Sequence, residues 1–75
     1  MKKIKLSALI EHDNNGYFAY CPELKGCHSQ GNTLDEAISN LQEATELYLE
    51  TLSSEELDTI GHKSIVSTTL ELTCA

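Results

Sequence analysis

Three cysteines and three histidines, Cys21, Cys27 and Cys74 with His12, His28 and His62, are the side chains best suited to nucleophilic or metal chemistry. Cys21, Cys27, His28 and Cys74 carry metal-competent atoms, but a C-x5-C-H spacing is not that of a zinc knuckle. Neighbouring positions 27 and 28 also point to opposite faces of a strand, so at most two of these groups share an ion easily. No metal or cofactor is expected. A hydrolase needs a nucleophile, a base and an orienting group brought together, and no motif ties any histidine to Ser29 or to a cysteine. The histidines are read as surface or interface residues. An odd cysteine count, in a chain whose residues 1–10 lack a signal-peptide h-region and cleavage site, argues against a disulfide framework. Cys21 and Cys27 are expected as a reduced, buried pair across a turn.

The elements that must position these groups follow from periodicity. Over residues 3–12, Ile4, Leu6, Ala8 and Ile10 alternate with Lys5, Ser7 and Glu11, the period-2 pattern of a half-buried strand. Asp13-Asn14-Asn15-Gly16 then supplies residues that tolerate positive φ where a hairpin reverses. Residues 17–21 form a short aromatic strand ended by Pro22, and residues 27–30 return beside it. Thr33-Leu34-Asp35-Glu36 reads as a capping box, so a helix starts at Leu34. Its apolar stripe runs through Leu34, Ile38, Leu41, Thr45, Tyr48 and Leu52, flanked by Ala37 and Ala44, with Asp35, Glu43, Glu46 and Glu50 on the far side. Ser53 and Ser54 before Glu55 and Glu56 could cap a further short turn, with Gly61 closing the segment. Residues 64–73 alternate again, Val66, Leu70 and Leu72 against Ile65, Ser67, Thr69 and Glu71, and predict a fourth strand. The order β-β-β-α-β gives a two-layer α+β domain over residues 1–75, with strand four reached by a right-handed crossover and parallel to strand one.

A four-residue turn at 13–16 pairs His12 with Tyr17, Ile10 with Ala19 and Ala8 with Cys21, all on the helix side. Leu9, Phe18, Tyr20 and His28 then lie on the opposite face with Gln30. Nothing is left to cover that face, and such an apolar patch marks an interface. A slip of one residue would instead bury the aromatics. The chain has 12 acidic residues against five Lys and Arg, a formal charge of -7. Eight of the acids lie between Leu34 and Asp58 with no Lys or Arg among them. This balance disfavours direct nucleic-acid binding and suits a basic protein partner. Glu43, Glu46 and Glu50 around Leu47 are the candidate docking face for it. No apolar stretch approaches the roughly 18 residues that span a bilayer, and the protein is expected in the cytoplasm. Residues 65–73 contain neither Pro nor Lys, so as a sheet edge they would be poorly protected against pairing with another copy, and a homodimer or higher homo-oligomer is expected.

Several of these residues form an ordered series. Gly16-Tyr17-Phe18-Ala19, Cys21-Pro22-Glu23-Leu24-Lys25-Gly26-Cys27, Gln30-Gly31-Asn32-Thr33 and Asp35-Glu36-Ala37-Ile38-Ser39-Asn40-Leu41 resemble the HicB family of antitoxins over roughly residues 4–50. The resemblance implies a partial, catalytically degenerate RNase H-like fold. It also implies a non-enzymatic module that binds and blocks a HicA-like toxin, a small basic ribonuclease. Family members that repress their own operon use a C-terminal DNA-binding domain, which these residues do not contain, so DNA binding is not carried over. An RNase H-like shape raises the alternative of a divergent nuclease or hydrolase, which needs carboxylates converging on metals about 4 Å apart. Glu11 at a strand end, Glu36 on the solvent side of the helix and Glu71 on strand four do not converge. A solitary oligomeric scaffold without a toxin is the third reading.

Overall fold

Gly16 sits at φ 119°, where a residue with a side chain is strained, and the Asn15 N–H donates to Asp13 Oδ1 at 2.8 Å. This turn sets the register of the first hairpin. The computed structural model describes residues 3–60 and 62–75. Strands β1 (Leu9–Asp13), β2 (Gly16–Tyr20) and β3 (His28–Gly31) form an antiparallel sheet in the order β1-β2-β3. Helices α1 (Leu34–Glu50) and α2 (Ser54–Thr59) follow, and α1 packs on β3 and β2. The architecture is α+β.

His12 pairs with Tyr17 and Ile10 with Ala19, as the turn length predicts. The hairpin stops at Leu9–Tyr20, so Ala8 does not pair with Cys21 and is exposed. Pro22 lies just past β2, where it can donate nothing to a ladder. Residues 3–8 therefore continue from β1 outside the sheet, tied by the Ser7 N–H to the Glu23 carboxylate at 3.0 and 3.1 Å. Between β2 and β3 the Cys21 N–H donates to the Cys27 carbonyl at 3.0 Å, and the Leu24 and Cys27 amides close tight turns inside that loop. Gly26 takes φ 78° and Leu24 is buried. The Pro-Glu-Leu-Lys-Gly-Cys motif thus builds a turn that plugs the end of the core.

Helix α1 begins where expected, with Thr33 Oγ1 accepting the Glu36 N–H at 3.1 Å. The return bond of the expected box differs by one residue: Glu36 Oε1 accepts from the Asn32 N–H at 3.3 Å. A complete capping box forms instead at Ser53 and Glu56, starting α2. Gly61 and Lys2 lie outside the described residues.

Two expectations need correction. Residues 64–73 join no sheet among the described residues, so the predicted fourth strand and its parallel crossover are not formed. Alternation qualifies the segment for a strand, but a strand exists only beside a partner, and here Val66, Leu70 and Leu72 are 83, 76 and 78% exposed. The helix stripe is also rotated. Ala37 and Leu41 are buried, with Ala44 and Tyr48 packed against the core, whereas Leu34 and Ile38 are 43 and 40% exposed. Small Ala37 faces the sheet because Gly31 comes so close that a Cβ there would stand 2.7 Å from the Ala37 amide nitrogen.

The core of Ala19, Cys21, Leu24, Cys27, Ala37 and Leu41 leads to unequal mutational costs. Leu41→Ala should cost about 2–5 kcal/mol and unfold much of the chain at 37 °C. Phe18→Ser with Tyr20→Ser, on the uncovered face, should leave the circular dichroism spectrum intact and lower Tm by at most about 8 °C. Cys21 and Cys27 are buried free thiols and Cys74 is an exposed one. Burial pushes the Cys21 thiol up, and the Glu23 carboxylate, within 3.6 Å of its Sγ, opposes ionisation further. A thiol-exchange reagent should therefore titrate Cys74 promptly and the two core thiols only at the rate of unfolding.

Candidate functional site

Cross-strand pairing assembles the residues of the uncovered sheet face into two rows. Leu9, Tyr20 and His28 form one row, and Glu11, Phe18 and Gln30 the next. The Phe18 ring centroid lies 6.0 Å from Tyr20 and 5.4 Å from His28, both tilted, within the range of favourable aromatic contact. Phe18 is 39% exposed, and no element of the described residues covers the cluster. A shallow recess of about 360 Å³ continues from these rings to Pro22 and Lys25 in the β2–β3 loop. His12 is separate: it stacks on Tyr17 at 3.9 Å, in register with Ile10–Ala19 on the helix side.

On the other layer, the spacing i, i+3, i+4, i+7 groups Glu43, Glu46, Leu47 and Glu50 on the outer face of α1, all exposed. Leu47 stands 59% exposed among three carboxylates. Gln42 Nε2 donates to Glu46 Oε1 at 3.4 Å, holding one of them against the helix surface. The last turn of α1 contains no basic residue, so the negative end of the helix dipole and Glu50 repel each other unrelieved. The eight candidate residues therefore divide into an aromatic patch on the sheet and an acidic patch on the helix. The sheet and the helix layer lie between them, and no flat partner surface meets both.

Sequence reasoning missed a third surface. Residues 4–8 and the flank of α1 enclose an apolar groove of about 380 Å³, lined by Ile4, Leu6, Ala8, Ile38, Leu41 and Leu49. It exists because α1 sits over β2 and β3 and overhangs the flank where residues 3–8 run outside the sheet. The exposure of Ile38, at the margin of the stripe, was the available signal, but it becomes legible only with the tilt of the helix known.

Glu36 is committed to the helix cap, Glu11 stands beside Phe18 on the open face, and Glu71 lies in residues 64–73. Among the described residues no three His, Cys, Asp or Glu side chains come together as ligands for an ion. No helix among them is long and apolar enough to cross a membrane.

The family model described as the HicB-like antitoxin of bacterial toxin-antitoxin systems matches residues 6–71. A UPF0150 protein of Helicobacter pylori is 47% identical over 70 residues, which cover 93% of this chain and 97% of that protein. The Synechocystis UPF0150 protein ssr1258 is 41% identical over 68 residues, 88% of this chain and 99% of its own. A second Synechocystis relative, ssr1765, is 56% identical over 50 residues, 65% of this chain and 63% of that protein. No solved structure matches. The matched span holds the Glu23 clamp, the Gly31 contact and both exposed patches, and the chain belongs to the HicB-like antitoxin family.

Proposed function

We propose that the chain is a non-enzymatic, cytoplasmic antitoxin module that binds and neutralises a small basic HicA-like ribonuclease through the outer face of α1. The observation that carries this reading is the exposed row Glu43, Glu46, Leu47 and Glu50 on a helix whose last turn holds no basic residue. A cationic protein surface would relieve that repulsion, and Leu47 would give the contact an apolar centre surrounded by charge. The net charge of -7 steers a basic partner over distances near the Debye length of about 8–10 Å. The same charge opposes direct binding to nucleic acid, so inhibition would come from occupying the toxin rather than competing for its RNA.

The aromatic patch of Leu9, Phe18, Tyr20 and His28, with Glu11 beside Phe18, suits a largely apolar protein surface, including a second copy of the chain. It serves as a second contact on the far side of the sheet from the toxin.

The proposal requires a small basic protein encoded in an adjacent reading frame, and calorimetric titration of that protein with this chain is the test. Reversing Glu43→Lys, Glu46→Lys and Glu50→Lys together should weaken binding by about 100-fold, about 2.7 kcal/mol, and flatten its salt dependence. The circular dichroism spectrum should not change, because all three side chains are exposed. Equal affinity of the triple variant would remove the helix face from the proposal. RNA cleavage by this chain alone, lost on Glu11→Gln or Glu71→Gln, would overturn the non-enzymatic reading.

A further inference from the structure

Residues 64–73 and the groove beside residues 4–8 are complementary surfaces left unfilled on one chain. In the segment, Val66, Leu70 and Leu72 occupy even-numbered positions, which share one side of the chain once it pairs as a strand, and all three are more than three-quarters exposed. The groove presents Ile4, Leu6 and Ala8 from one wall and Ile38, Leu41 and Leu49 from the other. Beside it, β1 is a sheet edge, and the stretch before it lies outside the sheet. A second extended segment laid along that edge would find backbone partners and an apolar floor together.

The path of the chain says whose segment this is. Leu57, Ile60 and His62 line one recess with Lys3, Ile4 and Lys5, so the chain returns to the stretch before β1 just ahead of residues 64–73. The radius of gyration is 14.6 Å and the longest dimension 49 Å, whereas a compact chain of this length has a radius of about 11 Å. Residues 64–73 thus project away from their own groove, and by symmetry a second copy's groove is open to receive them. Exchange of identical segments gives the β1 edge of each copy a partner, leaves β3 as an edge, and closes as a two-fold dimer.

We propose that two copies of the chain exchange residues 64–73, each segment adding to the β1 edge of the other copy with Val66, Leu70 and Leu72 seated in the groove between residues 4–8 and α1. The exchange places the segment on the flank of the sheet, away from the aromatic patch, and it meets the acidic face of α1 only at Glu46, which lines the groove with Gln42 and Thr45. Glu43, Leu47 and Glu50 do not line the groove, so substitutions there report on the toxin contact while those at Leu70 and Leu72 report on the exchange.

The test is an isotope-filtered NOESY experiment on a mixture of labelled and unlabelled full-length chain, with sedimentation of variants. Methyl contacts from Val66, Leu70 and Leu72 of one copy to Ile4, Leu6 and Ile38 of the other are expected. Leu70→Asp with Leu72→Asp should halve the sedimenting mass at tens of micromolar and keep the helical circular dichroism signal, since these side chains touch little of their own copy. Phe18→Ser with Tyr20→Ser should retain at least twice the 8.3 kDa chain mass. Ile38→Lys, placed in the groove wall rather than the segment, should halve the mass as the tail variant does. A wild-type chain sedimenting at its single mass, tail contacts found only within one copy, or a tail variant with the wild-type mass would each overturn the proposal.

Discussion

Gly31 meets the first turn of α1 so closely that even a methyl group would not fit against the Ala37 amide. Because β3 and the helix touch at that point through backbone and a small side chain, the helix axis is drawn over β3 and β2. Asn40 strengthens the same seam, its Nδ2 donating to the Gln30 carbonyl at 2.9 Å. The helix is too narrow to cover β1 as well, at an ordinary diameter of about 10 Å against strands about 4.8 Å apart. The groove on the β1 side and the exposure of Ile38 are consequences of this contact.

The opposite sheet face follows from a different constraint, the parity of the first turn. Asp13 and Gly16 are partners, so every later pair is fixed, and Phe18 and Tyr20 are committed to the side away from α1. The two glycines divide the work: Gly16 decides which residues face the helix, and Gly31 decides where the helix sits. Side chains with recognition chemistry are then left on three surfaces, while the buried interior is small and built largely of Ala, Cys and Leu.

Much of this was legible in local sequence, because turns, caps and short hairpins are determined by residues near one another. Asn-Gly set the register, Thr33 the helix start, and the Pro22-to-Cys27 motif the second turn. The rotation of the α1 stripe was not legible, since periodicity ranks Leu34 and Ile38 with Leu41 and carries no information on how far the sheet extends beneath them. Strand four failed for a related reason. Its alternation records a segment suited to pairing, and pairing is a relation between distant residues that alternation alone cannot locate. The acidic and aromatic patches were each visible as compositions, but their separation onto opposite layers required the register and the helix position together.

The HicB-like motif series also changes meaning once its residues are placed. Glu23 is the one acidic residue in the most distinctive part of the series, and a carboxylate there invites a catalytic reading. It instead accepts the Ser7 N–H through both oxygens and lies against the Cys21 thiol, tying the stretch before β1 to the β2–β3 turn. A carboxylate already engaged in this way is poorly placed to act as a base, and its removal would first release one wall of the groove. Conformational demands account for Gly26 and Gly31, and burial accounts for Leu24 and Cys27. The motif therefore specifies a scaffold that leaves the outer face of α1 and the β1 flank uncovered.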